Sequence, residues 1–270
     1  MVTNISFWSE SIAFPLLTTL TLVPLAAMFA VLFSRSTVVA MSFGFAGTLL
    51  NLLLSFYLLS VFDPEKAGIQ LAEQERFLDF TYYSVGVDGL NILFIALTAF
   101  LSLLILVYNA ITRRPVDWKF VACLLGYEAI LMGAFTALNV MQFWFWSLLE
   151  LLPVILLTLH GGTGQRKRWV VTHLVQYWGW GLLMTLTGFL LLGLGLLDSD
   201  HALSFDWVTL KQNKTLLQNE TLIFILLFCG FAIRMPLFPF HGWLPILAER
   251  GTVASVIIFI VGLKLGVDRK

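Results

Sequence analysis

Seven ionisable side chains interrupt the apolar runs of this chain: Asp88 in SVGVDGLNILFIAL, Glu128 in LLGYEAILMG, Glu150 in SLLELLPV, His173 in VVTHLVQYW, Arg234 and His241 in CGFAIRMPLFPFHGWLP, and Lys264 in VGLKLG. Carboxylates and bases placed on successive apolar segments have the chemistry of a proton relay, because burial beside a counter-charge tunes where each one exchanges its proton. Any one of them alone reads equally well as a helix-end or hydrogen-bonded group; seven across six segments favour the relay. The segment around Arg234 is the most telling. An arginine at membrane depth is costly unless it is paired or lines a wet cavity, and Pro236, Pro239 and Pro245 each remove a backbone donor. The spacing predicts a helix broken between Arg234 and Pro245, with His241 turned to a polar interior.

The elements that must position these residues are membrane helices. Hydrophobic residues make up 59% of the 270 and charged residues only 12%, against roughly 25% charged in a soluble domain, and mean hydropathy is +0.90. An all-α polytopic membrane protein is expected. A formal net charge of zero gives no reason to expect a nucleic-acid partner or an acidic substrate. Cys123 and Cys229 lie in apolar runs without ligand spacing and read as packing residues. Gly193 and Gly195 read as helix-packing positions and Trp118, Trp207 and Trp243 as interfacial residues.

With roughly 20 residues needed per span, about eight hydrophobic segments emerge, near 12–33, 37–62, 86–108, 119–138, 140–159, 169–197, 221–241 and 252–266. Basic residues follow spans one, three and five: Arg35, TRRPVDWK (112–119) and GQRKR (164–168). These loops should face the cytoplasm. The longer, acidic-leaning loops at 63–79 and 198–214, with the N-terminus, should lie on the outer face.

VGVDGLNILF, LELLPVILL followed by Gly-Gly, GFAIRMPLFPFHGWLP and ASVIIFIVGLKLG resemble, in order and spacing, the antiporter-like membrane subunits of respiratory complex I. The resemblance runs from about residue 80 to 265 and is strongest to chain 4 of the NAD(P)H-quinone oxidoreductase of cyanobacteria and chloroplasts. It implies a helical bundle with a broken seventh span that conducts protons along a central line of polar residues. Quinone reduction, with NAD(P)H or ferredoxin as donor, would take place elsewhere in the complex, so no cofactor and no metal is expected on this chain. The implied partners are other membrane-arm and peripheral-arm subunits, the lipid bilayer and protons, in a cyanobacterial thylakoid membrane. Residues 1–110 would be N-terminal transmembrane helices and 111–270 the first five-helix repeat, the second repeat being absent from this chain.

Carried over position by position, Asp88, His241, Trp243, Pro245 and Lys264 match the family pattern, whereas its span-seven lysine is replaced by Arg234. Anchored on Pro153, the family's Trp-Glu falls on Ser147-Leu148, and Glu150 matches a second glutamate that only some relatives carry. A span-six lysine falls on His173, and Glu128 has no counterpart. Arginine holds its proton too tightly to relay it, and moving a carboxylate from 148 to 150 rotates it by roughly 200° on a continuous helix. The family's Glu–Lys pairing between spans five and seven therefore needs a different geometry here, with Glu128 or His173 sharing the role; Arg234 should still find a membrane carboxylate, Glu150 first and Glu128 second. The tail GVDRK allows Lys264 either to sit mid-membrane or to snorkel to the interface.

The candidate site residues are thus Glu150, Arg234, Lys264, His241, Glu128 and His173. The departures at 148 and 234 point to a specialised isoform such as those of the cyanobacterial carbon dioxide uptake complexes. A subunit of a multi-subunit cation/proton antiporter and a structural subunit with a broken proton path are the other readings. In sealed vesicles, a single cysteine introduced as Arg166→Cys is expected to react with an impermeant maleimide only from the cytoplasmic side. Labelling from the outer side would reverse the orientation.

Overall fold

The computed structural model describes residues 5–10, 12–66, 68–78, 81–111, 117–161, 167–195, 205–212, 219–235 and 237–245. Nine helices carry most of the described residues: α1 (Leu16–Ser34), α2 (Thr37–Val61), α3 (Asn91–Ile111), α4 (Trp118–Thr136), α5 (Val140–Leu149), α6 (Leu151–Gly161), α7 (Lys167–Gly195), α8 (Trp207–Gln212) and α9 (Glu220–Arg234). Among the described residues, six stretches are long and apolar enough to cross a membrane: α1, α2, α3, α4, the α5–α6 pair and α7. They coincide with the first six expected spans. α9, at 15 residues, is shorter, and the eighth expected span lies outside the described residues.

Within an apolar surround a helix must satisfy its own polar groups. The threonines on these helices do so locally: Thr48, Thr98, Thr136, Thr158 and Thr185 each donate to a carbonyl four residues back. α4 is the axis of the bundle. Buried residues make up 72% of its span, against 33–39% for the other five, because α1, α2, α3, α5 and α6 all pack on it. Its Val121, Leu124, Leu125 and Leu131 meet Ala27 and Val31 of α1, Leu106 of α3 and Val154 of α6 in the main core. An ionisable group on the inner faces of α4 is therefore remote from water.

The acidic loop expected after span two is in part a sheet. β1 (Ile5–Phe7), β2 (Ile69–Leu78) and β3 (Thr81–Val87) form three strands in that order, with β1–β2 parallel and β2–β3 antiparallel, Glu73 opposite Val85 and Glu75 opposite Tyr83. The helical bundle is as expected, and this small sheet is an addition at one end of it. The run TYYSVGV (81–87) is aromatic and β-branched, a strand composition, and Val85 and Val87 are buried against the helix ends. Bridge Val85–Ala137 ties this sheet to the α4–α5 link, and bridge Asn139–Asp206 ties that link to the start of α8. The N-terminal strand, the hairpin and the segment before α8 thus gather at one end of the bundle, as alternating spans require.

One contact anchors that end. Pro15 gives α1 no side-chain cap, and the helix start is served instead by Glu73 from β2. Its Oε1 accepts the Leu17 N–H at 2.7 Å, its Oε2 the Thr18 N–H at 3.0 Å, and the Thr18 hydroxyl donates to Oε2 as well. A carboxyl at a helix N-terminus matches both the free N–H groups and the helix dipole. Burial raises the Glu73 carboxyl above the usual carboxylate range, outweighing the bonds from Thr18 and Leu17 that lower it. The folded state then binds the Glu73 proton more tightly than the unfolded chain, so the stability linked to it is complete at acid pH and is lost as pH rises through the folded value. Melting temperatures in detergent should show this slope, and Glu73→Gln should remove it. A wild-type-minus-variant difference that is flat with pH would refute the linkage.

Candidate functional site

α9 reaches Arg234 by packing unusually close to α7. A Cβ placed on Gly230 would meet Thr185 Cγ2 at 2.5 Å and the Gly181 carbonyl oxygen at 2.8 Å, so only glycine allows the two backbones this approach. The helix stops at Arg234 because the prolines that follow cannot continue its ladder. The carbonyls freed at its end are recaptured: Phe231 O accepts the Met235 N–H, Ala232 O the Leu237 N–H at 3.0 Å, and Ile233 O the Trp243 indole N–H at 2.8 Å. Beyond lies a 3-10 turn, Phe240–Gly242. Span seven is thus interrupted between Arg234 and Pro245; Pro236 itself lies outside the described residues.

The arginine meets a second interruption. α5 ends at Leu149 and α6 begins at Leu151, with Glu150 as the turn residue between them and Pro153 in the first turn of α6, where its missing N–H is tolerated. Arg234 Nη2 donates to Glu150 Oε2 at 2.5 Å and Nη1 to Ser147 Oγ at 2.7 Å. Ser147 passes its own hydroxyl hydrogen to the Phe143 carbonyl, 2.8 Å away, which aims its lone pairs at the guanidinium. The other carboxylate oxygen, Glu150 Oε1, accepts the Tyr127 hydroxyl of α4 at 2.9 Å. The guanidinium carbon lies 5.5 Å from the Trp178 ring centre and 5.9 Å from that of Phe143, adding cation–π attraction. Trp178 and Trp243, both 1% exposed and edge-to-face at 5.6 Å, close the site from the α7 side.

The four polar partners come from three segments. Glu150 is 6% exposed, and with Ser147 it forms an i, i+3 pair on the buried side, while Leu148 turns outward at 39% exposure. The 200° rotation from position 148 therefore costs no partner: Glu150 keeps helical backbone angles, and the buried face of this span is the one that carries Ser147 and Glu150 while Leu148 lies on the other. Sequence reasoning missed Tyr127 and the part Ser147 plays. Tyr127 was legible only as a polar neighbour of Glu128, and Ser147 as the occupant of a family tryptophan position.

The other candidates lie elsewhere. Glu128 is fully buried but bonds to Asn51 of α2, not to Arg234. His173 sits half-buried near the start of α7, its Nδ1 3.1 Å from the Trp169 carbonyl one turn back and its ring 4.0 Å from the Trp169 ring; it shares no contact with the pair. His241, expected to face a polar interior, is exposed among the described residues and lies beside Phe238. The turn sends Trp243 inward instead, because its indole has the free Ile233 carbonyl to bond. Asp88 caps α3, its Oδ1 accepting the N–H groups of Leu90 and Asn91 at 3.0 and 2.8 Å. Lys264 lies outside the described residues.

The family described as NADH:quinone oxidoreductase/Mrp antiporter, TM, matches residues 137–267, the stretch that holds Glu150 and Arg234. Over that stretch the chain is similar to the antiporter-like membrane subunits of the complex I family. It is 30% identical over 237 residues to NADH-quinone oxidoreductase subunit M of Rhodobacter capsulatus, covering 81% of this chain and 44% of that protein. In fold it matches a chain of respiratory complex I from Thermus thermophilus (TM-score 0.75, 24% identity, 91% of this chain and 50% of that one). A chain of the Mrp complex from Dietzia sp. DQ12-45-1b aligns with TM-score 0.76 at 16% identity, over 92% of this chain and 46% of that one. The chain spans about half the length of the curated relatives it matches.

Removing one member of a buried ion pair strands the other and costs about 3–5 kcal/mol. Arg234→Ala and Glu150→Ala should each lower stability by that order in detergent melts, with the double variant less than additive. Arg234→Lys, which keeps the charge but loses the fork that reaches Ser147 and Glu150 together, should fall between wild type and Arg234→Ala. Equal losses for Lys and Ala would show that the charge at 234 is not what the pair supplies.

Proposed function

We propose that this chain conducts protons as a membrane-arm subunit of a quinone oxidoreductase of the complex I kind. Quinone reduction would take place on other subunits, with NAD(P)H or ferredoxin as electron donor and the remaining membrane-arm and peripheral-arm subunits as partners. Residues 111–270 are assigned to the first of the family's two five-helix repeats. The observation that carries the reading is the buried Arg234–Glu150 pair, set where two transmembrane segments are both interrupted.

The chemistry divides between the two partners. Arg234 keeps its charge at any working pH and serves as a fixed positive point. Glu150 is the member that exchanges a proton, and the Tyr127 hydroxyl on its second oxygen is placed to donate to it. When Glu150 takes a proton, the guanidinium loses its counter-charge in a low-dielectric site, which favours proton release from a neighbouring cation. Proton occupancy at Glu150 is thereby coupled to the next group along the path. Lys264, further along the chain, is the proposed continuation; His173 and Glu128, which hold partners of their own, and His241, which is exposed, stand off this line.

A narrower assignment, to the chain 4 isoforms of cyanobacterial carbon dioxide uptake complexes working with plastoquinone in a thylakoid, draws its support from Leu148 and Arg234, where this chain leaves the family pattern. Cation/proton antiport is the second reading, favoured by the likeness in fold to the Mrp complex. In sealed vesicles holding the native complex, donor-driven acidification should drop about tenfold or more in Glu150→Gln, the effect of roughly 1.4 kcal/mol on a transfer barrier, with electron transfer through the complex retained at least in uncoupled vesicles. Pumping that requires sodium would favour antiport. Unchanged pumping would make the chain structural.

A further inference from the structure

One ionisable side chain is buried more completely than either member of the Arg234 pair and takes no part in it. Glu128 lies at the middle of α4, 0% exposed, and its Oε1 accepts the Asn51 Nδ2–H of α2 at 2.8 Å; Asn51 is likewise 0% exposed. Two oxygens are left over. Glu128 Oε2 and Asn51 Oδ1 are both buried with no hydrogen-bond donor among the described residues. The hydroxyls flanking Asn51 on α2 are already committed, Thr48 to the Gly44 carbonyl at 2.9 Å and Ser55 to the Leu52 carbonyl at 2.7 Å.

The charge balance is equally lopsided. α1 and α5 carry no ionisable residue, α2 only Tyr57 and α3 only Tyr108, and both of those tyrosines are exposed. On α4 itself, Lys119 and Cys123 stand nine and five residues earlier, and Tyr127 is bonded to Glu150. On β3, Tyr83 is engaged with Thr18; at the head of α6, Glu150 is engaged with Arg234, and His160 sits at the far end of α6. No cation therefore faces Glu128 among the described residues, whereas an ionised carboxylate in such a place requires one.

A single proton removes both defects at once. We propose that Glu128 and Asn51 form a proton-binding site, separate from the Arg234–Glu150 pair, in which Glu128 is held as the neutral acid. Its Oε2 then becomes a donor, and the site carries no net charge. A metal cation suits the site poorly, since two free oxygens fall well short of the six or more that hard cations take, and no cluster of three or more metal-ligating side chains occurs among the described residues. The site does not rest on the translocation reading, and it is tested by a measurement that needs no pumping.

Infrared spectra of the protein in its native complex at neutral pH, wild type minus Glu128→Gln, isolate this carboxyl group. The expected difference is one protonated-carboxyl C=O band present in wild type and lost in the variant, unchanged by sodium in the buffer. In Asn51→Leu the same band should shift, since its carbonyl loses the amide hydrogen bond, and in Glu150→Gln it should stay. Carboxylate bands in the difference would overturn the proposal, and so would a protonated band that appears only when sodium is withdrawn. If Glu128→Gln fails to assemble, the band shift in Asn51→Leu decides the matter, and an unshifted protonated-carboxyl region there counts against the site.

Discussion

A guanidinium keeps its charge at any pH a cell reaches, and with its side chain only 16% exposed Arg234 takes most of its solvation from protein groups. The surrounding structure is organised by that constraint. Glu150 supplies the counter-charge, Ser147 a second acceptor, and the Trp178 and Phe143 rings an electron-rich enclosure. Each of these depends on an irregularity: α5 gives way to α6 at Glu150, and α9 ends at Arg234. Irregular backbone is tolerated at membrane depth only where its polar groups find partners inside the protein, and at the end of α9 they do, down to the Ile233 carbonyl taken up by the Trp243 indole.

α4 serves both polar sites because it is surrounded. Tyr127 and Glu128 are successive residues, so about 100° of helix rotation separates them, and they reach in two directions, Tyr127 to the Glu150 carboxylate and Glu128 to the Asn51 amide of α2. Away from this centre, the sheet at one end of the bundle sets where α1 begins. Glu73 crosses 56 positions of sequence to cap it, and β3 fastens the link before α5, which in turn pairs with the residue before α8.

The helical spans were legible because each is a long apolar run bounded by basic or turn-forming residues, and the observed ends fall within a few residues of those boundaries. The need for a carboxylate near Arg234 was legible too, from the cost of an unpaired charge. Its orientation was not. The helical-wheel argument places Glu150 on the face away from position 148, and which of those faces meets Arg234 depends on how this span packs against α4 and α9, which no local pattern contains. β2 was hidden because Glu73, Glu75 and Arg76 make its composition resemble a solvated loop, although TYYSVGV in β3 carried a readable strand signal. His241 was misjudged for a related reason: the direction of a turn after a helix end is decided by which side chain finds the open carbonyl, and that was Trp243.

The narrow fit between α7 and α9 bears on what can change at this centre. With Gly230 pressed against Thr185 and the Gly181 carbonyl, α9 has no room to turn about its axis or to slip by a residue without lifting away from α7. Arg234, at its last position, is therefore held like a mounted electrode: its place and its charge are both constant, and any signal it sends or receives is written in the protonation and orientation of the groups around it.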